Sequence, residues 1–349
     1  LGESSGLFYF YPEMKTLTTA VLIFCAVVFA QAQGNKVENI LTDIPSSFRA
    51  LSVVNDQHVW ASGSKGHVAS SMDGGKTWKI EQVKGFEKLD FRSCYAFDDK
   101  KVIIANAGEP AHILKTIDGG QSWKIVYKNE DKAAFIDGID FWNEKEGIVF
   151  GDPIHSKMLL LRTEDGGETW KEITSAPLLK EGEASFAASG TTLRCFGKSA
   201  VVVATGGSAA RLWRSEDKGQ TWNVTETKMI QGAQGRGIFS MAFQQNKAIL
   251  VGGDFENDKS QPDQSFYSLD HGKTWKPSDT FVRGWRECVE FLDHNTWITT
   301  GPGGMEISSD NGQNWIPFSD EKDFHVIRKA RKGKRVVAVG NKKIAIIHP

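Results

Sequence analysis

The chain has 349 residues, of which 40% are hydrophobic and 24% charged, with a formal net charge of −1. That is the composition of an ordinary globular protein, and its charge balance gives no overall field that would steer it to nucleic acid or to an anionic membrane. Thirty-five glycines and 11 tryptophans point to many tight turns, each with a large aromatic to pack.

In chain order, residues 1–13 precede Met14 and begin with Leu1, and are read as a mis-extended start or a scar. From Met14 the chain runs MKTLTTAVLIFCAVVFAQAQ. Lys15 gives a short positive region, and the apolar run 17–30 is too short for a good membrane span. Ala30-Gln31-Ala32 fits the small-x-small cleavage rule. The expectation is a signal peptide over 14–32, then one domain over 33–349, exported to a periplasm or secreted, with no membrane span after cleavage. Cys25 is preceded by Leu-Ile-Phe rather than small residues, which argues against a lipoprotein. The later cysteines are Cys94, Cys195 and Cys288. Three is odd, so at least one is unpaired or joins another chain. Their spacing resembles no metal knuckle, and they are read as small buried hydrophobes. No metal and no cofactor are expected.

Next comes a lone strand-like segment, KVENILTDIP, and then a repeat. An eight-residue box recurs six times, from SMDGGKTW at 71–78 to SSDNGQNW at 308–315. Its aspartates are Asp73, Asp118, Asp165, Asp217, Asp270 and Asp310, at intervals of 45, 47, 52, 53 and 40 residues. Between boxes lie short β-branched or aromatic runs ended by Gly-rich or charged turns, four per repeat. This is the make-up of a propeller blade. Seven apolar runs end in small residues, from VWASG at 59 to VVAVG at 336. The last repeat has no box and no fourth strand. The expectation is therefore an all-β, seven-bladed propeller with box turns, its ring closed by the N-terminal segment entering the last blade.

A catalytic group is needed once, so six copies of one box argue for architecture. Its glycine suits a turn needing positive φ. Its aspartate is expected to accept backbone N–H bonds from two or three residues on. Its tryptophan (Trp78, Trp123, Trp170, Trp222, Trp275, Trp315) opens the fourth strand and packs between blades. The pattern S/T-x-D-x-G-x-T/S-W resembles the Asp-box, or BNR repeat, of sialidases, sortilin-type receptors and photosystem II assembly and stability factors. Blade order and the run FAASGT at 186–191 are most similar to exported bacterial relatives of the assembly-factor group. That resemblance implies a non-catalytic propeller.

Ligands of propellers collect where the innermost strands begin, the end opposite the boxes. Aligning FRALSVV, FRSCYAF, IDGIDFW, WRECVEF and HVIRKA puts Arg49, Arg92, Asp137, Arg286 and His325 at that mouth, with Arg236 two residues earlier on the same side and Ser189 near this level. Several arginines around one opening suit a carboxylate, sulfate or phosphate, or else an internal ion-pair network. The expected partner is an envelope protein or an acidic glycan, bound by a monomer. If the protein were instead a glycoside hydrolase, the carboxylates would come from Glu109, Asp137, Asp152 and Asp254. Sialidase chemistry proper is disfavoured: only Tyr95 lies on an innermost strand, and the Arg-Ile-Pro motif of sialidases is absent. No P-loop, dinucleotide fingerprint, G-x-S-x-G elbow or H-E-x-x-H is present. The basic run RKARKGKR at 328–335 is read as a solvated face. The polar insertion ENDKSQPDQS at 256–265 is read as a loop over the mouth.

Overall fold

The computed structural model describes residues 1–2, 36–259 and 262–349. The segment read as a signal peptide lies outside the described residues. Val37–Pro349 form one compact unit; of the other, Leu1–Lys36, only Leu1, Gly2 and Lys36 are described. The described elements are all β-strands, joined antiparallel. The all-β propeller is as expected.

The blade count is corrected. The described strands form six hydrogen-bonded sheets, so six blades rather than seven. The repeat count had separated a first blade from a last one. The 17-residue strand Val37–Val53 joins them instead. Its first part pairs with the final strand Val336–Ile347, from Val37↔Ile347 to Thr42↔Lys343. Its second part pairs with Val59–Gly63, from Ala50↔Ser62 to Val53↔Val59. One continuous six-stranded sheet results, and it unites the two ends of the described chain. The expected closure is present, since the N-terminal segment pairs with the final strand; repeat periodicity does not reveal that this segment runs unbroken into the innermost strand of the first repeat.

Second strands such as Val102–Asn106 and Ala200–Ala204 are buried at every position. They lie in sheets covered on both faces, which accounts for their unbroken apolar runs. Apolar clusters fill the gaps between neighbouring sheets. Ile103, Ile136, Val149 and Leu161 make one, and Ile148, Phe150, Val201 and Val203 the next.

The boxes are turn devices. In the first, Asp73 Oδ1 accepts the Lys76 and Thr77 amides at 3.1 and 2.9 Å, and Oδ2 accepts the Thr77 hydroxyl at 2.6 Å. The amides are thus three and four residues on, one further than expected. Ser71 Oγ donates to Asp73 and accepts the Gly75 amide at 2.8 Å. Trp78 Nε1 donates to the Gly75 carbonyl at 2.8 Å. The Thr77 hydroxyl and amide hold the Asp73 carboxyl down to about 2. The glycine is required at Gly167: its φ is +81°, and a Cβ there would lie 2.2 Å from Ile103 Cδ1 of the neighbouring sheet. Trp170 packs in the cluster containing Ile103. The other boxes repeat the aspartate bonds at Asp118, Asp165, Asp217, Asp270 and Asp310, whereas the indole bond to the glycine carbonyl recurs at Trp222, and Trp315 Nε1 donates to Ser265 Oγ instead. In the last, Asn314 Nδ2 replaces the hydroxyl donor.

The boxes lie at the end of the channel where innermost strands finish. In each boxed repeat the turn after the innermost strand bonds the box, as Gln57 O accepts Gly74 N at 2.8 Å and Lys100 O accepts Gly119 N at 3.1 Å.

Candidate functional site

In four of the repeats a glycine of the second strand marks the register of the innermost strand beside it. A Cβ on Gly63, Gly151, Gly301 or Gly340 would lie 1.9–2.2 Å from the carbonyl oxygens of Ser47, Phe135, Trp285 and Asp323. Those four residues therefore share one position. The next position holds Phe48, Ile136, Arg286 and Phe324, all fully buried. The one after holds Arg49, Asp137, Glu287 and His325, and equivalently Arg92, which follows the buried Phe91. Aligning WRECVEF by its Trp–Arg pair is thus one residue out. A slip of one reverses the facing of a strand residue. Arg286 occupies the apolar slot and Glu287 takes the mouth.

Arg286 is compensated where it lies. Its side chain has no exposure; Nη1 donates to Glu306 Oε2 at 3.1 Å and to the Gly304 carbonyl at 2.8 Å, and Nε donates to the Gly284 carbonyl at 3.2 Å. Burial lowers its pKa from the usual value.

The buried Glu287, missed in the sequence, organises the mouth. Arg49 Nη1 donates to its Oε2 at 2.6 Å, and His325 Nδ1 lies 3.0 Å from both its oxygens. His325 Nε2 lies 3.2 Å from Ser47 Oγ. Ser189 Oγ donates to the Glu287 carbonyl at 2.7 Å, which puts this serine at the expected level. The structure so brings together Arg49, His325 and Ser189. The remaining arginines each hold a separate carboxylate. Arg92 pairs with Asp90 at 2.7 Å, and Arg236 with Asp254 at 2.9 Å. Asp254 is buried and also caps the Glu256 amide at 3.0 Å.

Two predicted carboxylates interact. Asp137 is fully buried, and neither of its oxygens has a hydrogen-bond partner. Burial, with the nearby Asp152, raises its pKa well above the carboxylate range against the pull of Arg92. Burial lifts Asp152 to about 6, although its Oδ1 accepts the Ser185 amide at 2.9 Å. Asp152 borders a groove of about 560 Å³ with Ala184, Ser208 and Gln234. Glu109 is exposed in a turn, apart from these groups.

Beside Arg236 lies an aromatic cluster that the sequence reading did not identify. Phe186 stacks on Phe239 with centroids 3.8 Å apart; Trp285 lies 5.2 Å from Phe239 and 6.1 Å from Phe255. Phe255 is 47% exposed, and Arg236 keeps 39% of its side chain exposed. The only signal was the phenylalanine in GGDFEND, at the head of the polar insertion. Among the described residues no group of three or more His, Cys, Asp or Glu could hold a metal. Cys94, Cys195 and Cys288 are free thiols; only Cys288 is fully buried.

Two family models match parts of the chain. One, described as photosynthesis system II assembly factor YCF48, matches residues 29–132, and one described as sortilin, neurotensin receptor 3, matches residues 158–300. Photosystem II assembly protein Ycf48 of Synechococcus sp. (strain JA-3-3Ab) is 25% identical over 279 residues, covering 80% of this chain and 75% of that protein. Among solved structures, one titled YCF48 bound to D1 peptide is similar at TM-score 0.66 and 19% identity, covering 90% of this chain and 97% of the other. YCF48 from Cyanidioschyzon merolae gives TM-score 0.65 at 15% identity, covering 90% and 99%. The WD40 repeats of RRP9 give 0.64 at 13%, covering 91% and 98%, so this likeness by itself carries the fold alone. The chain is a BNR-type propeller related to the photosystem II assembly factor.

Proposed function

We propose that this BNR-type propeller, related to an assembly factor, is a non-catalytic module that holds a segment of a partner protein at the mouth formed by the starts of its innermost strands. The observation that carries the reading is that Arg236, with 39% of its side chain exposed, pairs with Asp254, next in the chain to Phe255, which is 47% exposed and lies 6.1 Å from the half-buried Trp285. Arginine and large aromatics are the residue types that anchor protein interfaces. Arg49 and Arg92 extend the basic character, each partly exposed and each tied to one carboxylate. Arg286 is withdrawn from the site, because it is spent on Glu306. The relationship to a protein named for assembly, one of whose solved forms is titled as bound to a peptide, supports a protein segment over a glycan. Export remains part of the proposal, resting on the sequence of residues 14–32 and testable by N-terminal sequencing of the mature protein.

The second reading, a glycoside hydrolase, has one observation in its favour. The buried Asp137 and the half-buried Asp152 are neighbouring carboxyls with raised pKa, which is how a general acid is made. A thermal-shift screen separates the readings, because a ligand of the folded state raises Tm. The panel holds acidic peptides, sialic and uronic sugars and neutral oligosaccharides, with Arg92→Ala and Arg236→Ala alongside. Shifts with peptides that vanish in both variants support the binding module. Shifts with a sugar, followed by release of reducing ends that Asp152→Asn abolishes, replace it with the hydrolase.

A further inference from the structure

At the opposite end of the channel, where the boxes turn, the innermost strands enclose a cavity of about 470 Å³. Its lining carries four basic side chains, Arg194, Arg328, Lys329 and Arg331, against two carboxylates, Asp140 and Glu290. The carboxylates are already engaged. Asp140 accepts the Cys195 amide at 2.8 Å and the Phe141 amide at 2.9 Å. Glu290 accepts Arg328 Nη1 at 3.1 Å, with Arg194 Nη2 at 4.0 Å from the same oxygen. That Arg194 Nη2 is buried and has no hydrogen-bond acceptor, while Arg194 Nε is held by the Met241 carbonyl at 3.1 Å. Arg331 is fixed by Ser52 Oγ at 2.9 Å, by the Ala96 carbonyl and by the face of Tyr95, 4.6 Å from the ring centre. Lys329 is turned to the wall, onto the Leu292 carbonyl.

Guanidinium groups held side by side in a secluded space, with one donor unspent, are costly without a counter-charge. Burial and the neighbouring Arg328 push Arg194 down to about 10. The aromatic walls are Tyr95, Phe141, Phe196 and Phe291.

We propose that this cavity is a binding site for a small organic anion bearing a carboxylate or a phosphate, held between Arg194 and Arg328. Its volume admits a ligand larger than a bare oxyanion. Planar guanidinium forks suit either headgroup. The cavity's lining reaches Ser189 at the level of the mouth, but the anion is held by Arg194 and Arg328, which take no part in the partner-binding surface.

The test is isothermal titration of the protein with inorganic phosphate and with phthalate, an aromatic dicarboxylate, against chloride at equal ionic strength. The expected result is saturable binding of at least one anion, weakened about tenfold or more in Arg194→Gln and in Arg328→Gln. Arg162→Gln, on a third strand and outside the cavity lining, should bind as wild type does. Binding of phosphate alone assigns a phosphate site; binding of phthalate alone assigns a carboxylate site. If Arg194→Gln fails to fold, Arg331→Gln, which removes another basic side chain of the lining, takes its place with the same expected loss. Absence of saturable heat with both anions, or binding unaltered in the folded cavity variants, overturns the proposal. General salting-out stabilisation by phosphate would appear equally in every variant.

Discussion

Arg286 and Glu306 face each other 3.1 Å apart inside the propeller, with 0% and 2% of their side chains exposed. The arginine stands where other blades place Phe48, Ile136 or Phe324, so a charge occupies an apolar slot and a carboxylate from the third strand of its own sheet neutralises it. Glu306 also accepts the Arg283 amide at 2.6 Å and Arg283 Nε at 3.2 Å, so removing Arg286 empties a fully buried slot and leaves the carboxylate with one partly exposed arginine.

Arg286→Ala is therefore expected to destabilise by about 3–5 kcal/mol, read as a lower midpoint in urea unfolding. Arg286→Met with Glu306→Gln, which removes both charges and keeps the bulk, should recover part of that loss. A single variant as stable as wild type would remove the structural role given to the pair.

The boxes predict an acid limb. In Asp73, Asp165 and Asp217 the folded-state carboxyl is held down to about 2 by the turn's own donors, whereas an unfolded aspartate titrates near about 3.9. A depressed folded value contributes stability that is complete above the unfolded value and is lost as pH falls from about 4 through about 2. Asp165→Ala should cost about 1–2 kcal/mol at pH 7 and should flatten this part of the pH profile, followed by thermal unfolding.

Asp152 predicts the opposite slope at higher pH. Its folded carboxyl is raised to about 6, so the folded state binds more protons than the unfolded one between about 4 and about 6. Stability should fall as pH rises through that window. Asp137, raised by burial, extends the decline upward. Asp152→Asn keeps an acceptor for the Ser185 amide and should gain about 2 kcal/mol at pH 8, an order of magnitude set by the size of the shift. A profile that does not change in this variant would contradict the assignment.

The boxes were legible in sequence because the aspartate and hydroxyl bonds that shape each turn span four residues or fewer, so residue type and spacing carry that part of the device. The propeller followed from their period. The closing pairing of the N-terminal segment with the last strand was also legible; the blade count was not, because Val37–Val53 runs unbroken from that segment into the first repeat, and hydrogen bonding there merges what the repeats divide. The mouth was legible only in part. Arg49, Arg92, Asp137 and His325 follow buried apolar residues and were found. Arg286 imitated that pattern one residue early, and concealed Glu287. Gly301, which admits no Cβ beside Trp285, was the available register marker. The cavity at the box end escaped notice because Arg194, Arg328 and Arg331 come from two distant strands, and RKARKGKR reads locally as a solvated turn.

The central claim is that a protein segment docks on the Arg236–Phe255 surface. A panning selection of random displayed peptides on the intact protein, followed by titration calorimetry of the enriched peptide, tests it most directly. The account predicts enriched peptides with acidic and apolar residues, whose affinity falls about tenfold or more in both Arg236→Ala and Phe255→Ala, while Arg194→Gln binds as wild type does. Enrichment of no sequence, or an affinity indifferent to both substitutions, would contradict it.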